Sequence, residues 1–357
     1  MQIALVYDKI NRIGGAERII STLKEIYPRA PIYTFVHEPQ LAPWAKAYDI
    51  RTSFFQKIPL VRRRHEWFPI LPIFAFENFR FWGFDLVISV TAGEAKGILS
   101  QENCTHICIL LTPTRYLWSH YQIYFDRGLL RWLSLPAVVC LRIWDQLAAQ
   151  RPDVMIAISQ TVQKRITKYY RRESLLIYPP VDTDKFIPLI KPKSNYFLLV
   201  GRLVKYKRLD IAVHACKKLN LPLKIVGQGP EAKNLRKIAG SKTELVGHLT
   251  DEDLVAYYQN CTALLFPQEE DFGITAVEAM ACGKPVIGFG KGGAKELIQP
   301  GITGELFNEQ TPDSLINILK DFDYNKYLPE NCRCQAEKFS KDKFKKEILK
   351  LVRKYHA

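Results

Sequence analysis

Residues 266–287 decide the fold of this chain and read FPQEEDFGITAVEAMACGKPVI. An apolar segment that ends at Phe266 predicts a buried strand, and a second such segment begins at Pro285. Between them, an acidic turn is followed by Gly273 and by a run of small and apolar residues that is typical of a helix. Strand, helix and strand in this order predict a parallel β-α-β unit, whose ligands bind at the carboxyl ends of the strands.

The same alternation extends in both directions from this unit. Strands are predicted in the second half of the chain at residues 196–200, 223–226, 243–246, 263–266, 285–289 and 304–307. The first half adds predicted strands at residues 2–7, 32–35, 85–89, 105–110, 153–158 and 175–178. Because helical segments separate most of these strands, the chain is expected to have an α/β fold with parallel sheets covered on both faces.

Length and a pair of prolines predict two domains. A chain of 357 residues exceeds what one hydrophobic core usually supports. Pro179 and Pro180 end regular structure, and a polar stretch follows them. We expect a first domain over residues 1–180, a second over residues 181–338, and a C-terminal helix over residues 339–357 that packs back on the first domain. The two sheets are expected to face each other across a cleft.

Composition and charge narrow the class of protein. The eight cysteines are scattered, several inside apolar segments, which favours buried thiols and a reducing, cytoplasmic compartment. The first residues lack the pattern of a signal peptide, and no run of about 18 uncharged apolar residues predicts a membrane-spanning segment. Despite the net charge of +15, no nucleic-acid-binding module is recognisable, so no nucleic-acid partner is expected.

One aromatic and basic segment favours contact with an anionic membrane surface. Residues 54–68 read FFQKIPLVRRRHEWF, in which rings and aliphatic side chains surround three consecutive arginines. Such a mixture suits the lipid–water interface, where rings lie at the level of the headgroups and cations meet anionic lipid. A solvated basic surface is the alternative. The sequence thus predicts a cytoplasmic protein with a candidate site of peripheral contact at the inner face of the cell membrane.

Two glutamates of the segment 266–287 are candidate ligands for a sugar. Glu270 lies in the acidic turn and Glu278 on the helix that follows. Carboxylates at the end of a parallel strand can accept hydrogen bonds from sugar hydroxyls, and Gly273 allows a ligand close to the backbone. The N–H groups at the start of the helix, near Ile274 and Thr275, suit a phosphate. An isolated acidic turn would be interpreted as a solvated loop, but the strand and helix around this one favour a site.

A second segment supplies cations at the end of another predicted strand. The strand ends at Gly201, and Arg202 and Lys207 follow closely. Arginine and lysine at the mouth of a parallel sheet can neutralise a pyrophosphate. A basic surface loop is the alternative for this segment taken alone.

In combination and in this order, the segments resemble the retaining glycosyltransferases of family 4, the glycosyl transferases group 1, which have the GT-B fold of two Rossmann-like domains. Within that family the chain resembles a bacterial mannosyltransferase-like subgroup of surface-polysaccharide assembly. Glu270 and Glu278 match the paired-glutamate motif of the family, and residues 201–207 match its phosphate-binding segment. Gly14 and Gly15 match its first glycine-rich turn. The resemblance covers nearly the whole chain.

The resemblance implies roles for the matching residues. Arg202 and Lys207 would bind the donor diphosphate and stabilise the leaving group, while Glu270 would contact the donor sugar and take part in catalysis with them. Glu278 would hold the ribose. The other residues expected at the donor are Gly201, Gly227, Gly229, His248, Leu249, Phe272, Gly273, Ile274 and Thr275. On the phosphate or acceptor side, the residues expected are Gly14, Gly15, Lys96 and Arg115.

The resemblance also implies the reaction. A hexose, with mannose favoured, would pass from a nucleoside-diphosphate sugar, with GDP-mannose favoured, to a lipid-linked or growing surface glycan. The anomeric configuration would be retained. Neither a metal ion nor another cofactor is expected, because the cations would take the place of a metal.

Two positions depart from the pattern of the family. Leu111 and Ala92 stand where relatives often carry histidines, and neither side chain can donate a hydrogen bond or take up a proton. Glu94, Lys96 and Arg115 are the polar groups that remain nearby. These departures favour one alternative, a catalytically altered sugar-nucleotide-binding protein on the same fold. A nucleotide-sugar epimerase would need its own acid/base set in the first domain, which we do not find.

A different class, an NAD-dependent oxidoreductase, is the other alternative. Gly227 and Gly229 follow a predicted strand and open a helix, as in the Gly-x-Gly-x-x-Gly/Ala pattern of dinucleotide-binding proteins. Against it, Pro230 suits the start of a helix rather than a pyrophosphate cradle. The next predicted strand, residues 243–246, is followed by Gly247 and His248 and so lacks the acidic residue at its end that would hold a ribose.

Overall fold

The computed structural model describes residues 1–11, 14–64, 67–119, 121, 128–190 and 195–355. The chain divides into two compact units, each with its own sheet. The first comprises Met1–Pro179 and Phe344–Ala357, and the second comprises Pro180–Lys343. We refer to these units as the first and the second domain.

A parallel sheet forms the centre of the first domain. Its strands within the described residues are β1 (Ile3–Tyr7), β2 (Ile32–Thr34), β3 (Ile50–Thr52), β4 (Leu86–Thr91), β5 (Thr105–Leu110), β6 (Val154–Ala157) and β7 (Leu175–Leu176). They follow the order β3-β2-β1-β4-β5-β6-β7, and each neighbouring pair is parallel. β1 and β4 are buried along their whole length because helices cover both faces of the sheet, and this explains their mainly apolar sequences.

Helices surround this sheet. They are α1 (Gly15–Ile26), α2 (Pro59–Arg64), α3 (Leu71–Asn78), α4 (Gly128–Ala148) and α5 (Gln160–Tyr170). Short 3₁₀ turns lie at Pro43–Ala45, Phe54–Lys57 and Glu94–Gly97. Ser159 caps α5 as the sequence predicts, since its hydroxyl accepts a hydrogen bond from the backbone N–H of Val162 at 3.1 Å. A further helix, Lys341–Tyr355, belongs to this domain from Phe344 onward.

The second domain contains a parallel sheet of its own. Its strands are β8 (Phe197–Val200), β9 (Leu223–Val226), β10 (Thr243–Gly247), β11 (Ala263–Phe266), β12 (Val286–Phe289) and β13 (Gly304–Phe307), in the order β10-β9-β8-β11-β12-β13. Its helices are α6 (Leu209–Lys218), α7 (Ala232–Ile238), α8 (Asp251–Gln259), α9 (Ile274–Ala281), α10 (Ala294–Leu297), α11 (Pro312–Lys320) and α12 (Pro329–Glu337). A hydrophobic core of this domain includes Leu199, Ile225, Leu265 and Ile287 from four adjacent strands.

The predicted α/β class with parallel sheets is confirmed. Every predicted strand has a counterpart, although β3 is an addition that the sequence did not indicate. This strand is only three residues long, half-buried at the edge of its sheet, with the exposed Arg51 at its centre, so it lacks a run of apolar residues. Among the described helices, none is both long and apolar enough to cross a membrane.

Candidate functional site

Two glycine-containing loops of the second domain touch at the carboxyl ends of β8 and β9. The N–H of Gly201 donates to the carbonyl of Val226 at 3.0 Å. A Cβ atom on Gly227 would lie 1.9 Å from the carbonyl oxygen of Gly201, and one on Gly229 would lie 2.3 Å from that of Leu203. Both glycines are therefore required because the loops pack backbone to backbone. This packing gives the Gly-x-Gly pattern a structural cause that is independent of dinucleotide binding.

The principal feature of the candidate site is an ion pair that joins the basic and the acidic segment. Lys207 lies in the 3₁₀ turn Lys205–Lys207, and its Nζ is 2.9 Å from Oε1 of Glu270. The two side chains are 13% and 18% exposed, so a ligand can still reach them. A Cβ on Gly201 would lie 3.0 Å from the same Nζ, which places the ammonium against the end of β8. The fold thus brings the cation and the carboxylate of two separate motifs into contact, because β8 and β11 are neighbours.

Arg202 lies on the exposed side of the same loop. Its Nη2 donates a hydrogen bond to the hydroxyl of Tyr206 at 3.2 Å. The guanidinium is therefore held by a neighbouring hydroxyl while the residue stays exposed. Its contact with a diphosphate stays a prediction.

The acidic turn leads into α9 through Gly273. This residue has φ +116°, a left-handed conformation that favours glycine, and a Cβ there would lie 2.9 Å from the ring of Phe266. Gly273 is the N-cap of α9 and supplies no side-chain cap, so the first N–H groups of the helix, at Ile274 and Thr275, are not capped by it. Ile274 and Thr275 are half-buried, while the ring of Phe272 is buried against Phe339.

A second glycine-rich loop, which the sequence reasoning missed, holds the acidic turn in place. The N–H of Gly293 donates to the carbonyl of Glu270 at 2.8 Å. A Cβ on Gly293 would lie 1.8 Å from the carbonyl oxygen of Phe272, and one on Gly292 would lie 2.3 Å from that of Glu270. The four glycines between residues 288 and 293 were the available signal. They allow the loop after β12 to lie directly on the turn that carries Glu270.

Glu278 is placed differently from Glu270. It is 1% exposed, and its Oε2 accepts a hydrogen bond at 2.8 Å from the hydroxyl of the fully buried Tyr258. Since Tyr258 lies on α8 and Glu278 on α9, one carboxylate oxygen fastens the two helices together. Contact between Glu278 and a ribose stays a prediction.

His248 and Leu249 follow β10 at the edge of the sheet. The N–H of Gly227 donates to the carbonyl of Gly247 at 2.7 Å, so the loop of His248 begins beside the loop of Gly227. His248 is exposed and Leu249 is half-buried. The order β10-β9-β8-β11 therefore sets His248, Gly227, Lys207 and Glu270 along one edge of the second sheet.

In the first domain, Gly14 and Gly15 begin α1. Both are exposed, and the N-cap Gly14 supplies no side-chain cap. Just inside the helix, the buried Glu17 accepts a hydrogen bond at 2.7 Å from the hydroxyl of Tyr7. The carboxylate of Glu17 would also lie 3.1 Å from a Cβ on Gly14. The glycines thus pass close to a buried acid, and their contact with a phosphate or an acceptor stays a prediction.

The structure corrects the expectation that Lys96 faces an acceptor. Lys96 is 0% exposed, and its Nζ donates to the carbonyl of Gly93 at 2.5 Å and to Oδ1 of Asp145 at 2.6 Å. Thr114 Oγ1 lies 3.4 Å away as a third partner. Burial by itself would lower the pKa of Lys96, but Asp145, Tyr170 and Glu94 together raise it above its ordinary value, so the ammonium stays charged. All three donors are used inside the domain, and Lys96 is a structural residue.

Asp145 is the centre of this buried network. Its Oδ1 also accepts from the hydroxyl of Thr114 at 2.7 Å. Its Oδ2 accepts from Trp118 Nε1 at 2.7 Å and from the hydroxyl of Tyr170 at 2.8 Å. The network joins α4, α5, the turn Glu94–Gly97 and the segment after β5. Arg115 lies half-buried in that segment, and its role at an acceptor stays a prediction.

Asp8, which the sequence reasoning missed, fixes the loop after β4. Its carboxylate accepts hydrogen bonds from Thr91 Oγ1 at 2.7 Å and from the N–H groups of Ala92 at 2.8 Å and Ala95 at 3.0 Å. The signal was an acid directly behind the apolar strand β1. Asp8 and the pair of Lys96 with Asp145 thus both anchor the loop that carries Glu94.

Glu94 lies next to Leu111 and Ala92, the two positions that lack the expected histidines. The N–H of Leu111 donates to the carbonyl of Thr91 at 2.8 Å, so Leu111 and Ala92 are side by side at the ends of β5 and β4. Glu94 is half-buried, and its Oε1 accepts from the hydroxyl of Tyr116 at 3.1 Å. Burial and the nearby charge of Asp8 raise the pKa of Glu94 to about 7. A carboxyl group that changes charge near neutral pH therefore stands at this edge of the first sheet.

Comparison with solved structures identifies the fold. The sucrose-phosphate synthase of Thermosynechococcus elongatus matches the whole chain with a TM-score of 0.77 at 18% identity, over 99% of that protein. Anabaena HepE in complex with UDP-glucose matches 99% of the chain and 100% of its own length, with a TM-score of 0.73 at 18% identity. At such low identity the likeness concerns the fold, which is the two-domain α/β GT-B fold.

Sequence comparison finds similar proteins for part of the chain. Residues 180–339, in the second domain, match the family described as Glycosyl transferases group 1. An uncharacterized glycosyltransferase of Methanocaldococcus jannaschii is 28% identical over 211 residues, which are 57% of this chain and 60% of that protein. The O-antigen chain mannosyltransferase C of Escherichia coli is 30% identical over 162 residues, 42% of this chain and 44% of that protein. The chain thus spans less than two thirds of the length of either relative.

Proposed function

We propose that this protein is a retaining glycosyltransferase that moves a hexose from a nucleoside-diphosphate sugar to a glycan acceptor. The observation that carries the proposal is the contact between Lys207 and Glu270 at 2.9 Å. A diphosphate needs a cation, and a sugar needs hydrogen-bond acceptors for its hydroxyls. Lys207 and Glu270 offer both within one contact, at the carboxyl edge of a parallel sheet, where ligands of such folds bind.

Each group has a task in the proposed reaction. Lys207 and Arg202 stabilise the negative charge that develops on the diphosphate as the bond to the sugar breaks, in the place of a metal ion. The N–H groups at the start of α9 add donors of positive polarity for a phosphate or a sugar oxygen. Glu270 holds the sugar while Lys207 holds the leaving group, so a single ion pair aligns the bond that is cleaved.

For the donor we propose GDP-mannose first and UDP-glucose second. The relative from Escherichia coli is described as a mannosyltransferase, whereas HepE was solved with UDP-glucose. The proposed acceptor is a lipid-linked or growing surface glycan. An oxidoreductase has no support among the similar proteins, and we do not retain that alternative.

Nucleotide binding tests the proposal directly. We expect calorimetric titration to show binding of GDP or UDP and of the matching sugar nucleotide, and no binding of NAD. In Lys207→Met the affinity for the diphosphate should fall about tenfold or more, because a cation–phosphate contact is lost. Lys205→Met removes an exposed lysine of the same turn and should bind as the unaltered protein does. Binding of NAD alone, or equal affinities for both variants, would contradict the proposal.

A further inference from the structure

The outer face of α4 is apolar, although it is in contact with solvent. Leu135, Val139, Ile143 and Leu147 are 37% to 61% exposed. Their spacing of four residues places them in one row along the helix. The opposite face is buried through Val138 and other residues, so α4 is apolar on both sides. A helix of this kind is unusual at the surface of a soluble domain and indicates a partner for its outer face.

Two neighbouring elements of the first domain continue this surface. In and just before α3, Phe74 and Ile70 are exposed. The turn Phe54–Lys57 and the following α2 also expose large apolar side chains. We call the whole set the apolar layer. Its members, each 37% to 61% exposed, are Phe54, Ile58, Leu60, Ile70, Phe74, Leu135, Val139, Ile143 and Leu147.

Packing shows that these elements adjoin one another. Phe76 of α3 shares a buried cluster with Val61 of α2. One turn earlier in α3, Ile73 packs against Val138 and Leu141 of α4. A hydrogen bond of 3.0 Å from Trp144 Nε1 to Glu77 Oε1 fastens α4 to α3. The apolar layer is therefore spread over one continuous row of helices.

The charges around the apolar layer are of one sign. Lys57, Arg63 and Arg64 are exposed, and the Arg64 guanidinium lies 5.2 Å from the ring centre of the exposed Trp67. Acidic side chains of these elements are neutralised or buried. Glu77 pairs with an arginine at 2.7 Å, and Asp145 is 1% exposed. Within the described residues of α2, α3 and α4, the exposed charges are thus positive.

We propose that the apolar layer docks on an anionic phospholipid membrane, with its aliphatic and aromatic side chains in the interface and Lys57, Arg63 and Arg64 at the lipid phosphates. A bilayer surface fits because it offers apolar and anionic chemistry over a wide area, as this row of helices does. The inference deepens the proposed function, since docking would bring the transferase to a lipid-linked acceptor. It extends the contact predicted for residues 54–68 to α3 and α4.

Vesicle binding by the full-length protein tests this inference. We expect the protein to sediment with phosphatidylcholine vesicles that contain one third phosphatidylglycerol at low salt. Binding to pure phosphatidylcholine, or to the anionic vesicles at high salt, should be weaker, because the cations then contribute less. Absence of binding to the anionic vesicles at low salt would overturn the proposal.

Variants distinguish vesicle binding through the apolar layer from non-specific vesicle binding. Val139→Glu combined with Ile143→Glu should lower partitioning into anionic vesicles by about tenfold or more, because two carboxylates would enter the interface. Ile302→Glu alters an exposed isoleucine of the second domain and should bind vesicles as the unaltered protein does. Equal binding by the double variant would refute the role of α4. Nucleotide affinity of each variant, which should not change, shows that the variant is folded and keeps this test separate from that of the proposed function.

Light scattering after size-exclusion chromatography tests whether the apolar layer instead binds a second copy of this chain. The unaltered protein and the double variant should elute with the same mass. A dimer that the double variant abolishes, together with no binding to vesicles, would show that the layer joins two copies and would overturn membrane docking.

Discussion

At the scale of single residues, Lys207 and Glu270 form the contact on which the proposed function rests. The carboxylate is 18% exposed and lies 2.9 Å from the ammonium, so its charge positions Lys207 and, in the proposed reaction, the sugar as well. Glu270→Gln keeps the shape of the side chain and removes the charge. We expect release of nucleoside diphosphate in the presence of donor and acceptor to fall at least about 100-fold, as for other preorganised polar groups in active sites.

The neighbouring glutamate provides the control for this prediction. Glu269→Gln makes the same chemical change at an exposed position of the same turn and should leave the rate within about twofold. If Glu270→Gln and Glu269→Gln were equally active, Glu270 would not be a catalytic residue.

Glu94 predicts a pH dependence of stability. Its pKa is raised from 4.5 to about 7 by burial first and by Asp8 second, with Lys96 and Tyr116 opposing and Asp145 adding to the shift. The folded state therefore binds a proton between pH 4.5 and 7 that the unfolded state releases, and stability falls as pH rises through this window. Glu94→Gln removes the effect. Relative to that variant, the unaltered protein should lose up to about 3 kcal/mol between pH 4.5 and 8.

Urea unfolding at several pH values measures this difference. Glu102→Gln, which alters an exposed glutamate of the same domain, serves as the control and should follow the unaltered protein at every pH. A constant difference between the unaltered protein and Glu94→Gln across the range would contradict the raised pKa.

At the scale of elements, the site depends on loops that pack backbone to backbone. The loop after β12 lies on the acidic turn so closely that a Cβ on Gly293 would be 1.8 Å from the carbonyl oxygen of Phe272. Gly293→Ala must therefore displace the turn that carries Glu270. We expect a loss of about 1–3 kcal/mol of stability, together with a loss of affinity for the sugar nucleotide.

A second glycine of the same loop tests whether the close contact is responsible. At Gly290 the nearest atom to a new Cβ would lie at an ordinary distance of 3.4 Å. Gly290→Ala should therefore cost less than about 1 kcal/mol and leave nucleotide affinity unchanged. Thermal unfolding and calorimetric titration of both variants provide the comparison. Similar losses in the two would contradict this account of the loop.

At the scale of the whole molecule, the loops proposed to bind the nucleotide all belong to the second domain. The second domain carries the loops of Gly201, Gly227, Gly247 and Glu270 along one edge of its sheet. We expect saturation with nucleoside diphosphate to slow amide hydrogen exchange in these loops, since ligand at about 100 times its dissociation constant stabilises the bound state by about 2.7 kcal/mol. The core strand β4 of the first domain should exchange at an unchanged rate. Protection of β4 equal to that of the four loops would contradict a binding site in the second domain.

The alternation of strands and helices could be predicted from the sequence because the neighbouring residues of a buried strand are buried together. Strands such as β1, β4 and β11 are buried throughout, so their apolar runs stand out along the chain. The edge strand β3 escaped notice, because a half-buried strand has no such run. The apolar outer face of α4 was not predicted either. The periodicity of a sequence shows which residues are apolar, but it does not show which of them are covered by a neighbouring element.

Part of the candidate site could be predicted from the sequence for a related reason. Strand ends and the residue types after them are local features, and they placed Glu270 and Lys207 among the candidates before their contact was known. Lys96 has the same local features, yet it points inward to Asp145. The direction of a side chain depends on partners that are distant in sequence, and no local pattern reports them.

The sequence by itself determined the succession of strands and helices, the parallel sheets and a set of polar residues at strand ends, because each of these depends on neighbours along the chain. Only the tertiary structure decided which of those residues meet. It joined Lys207 to Glu270, turned Lys96 into the core and laid Gly293 on the acidic turn. The physical reason is that an ion pair or a backbone contact forms between segments that only the packing of the whole sheet brings together.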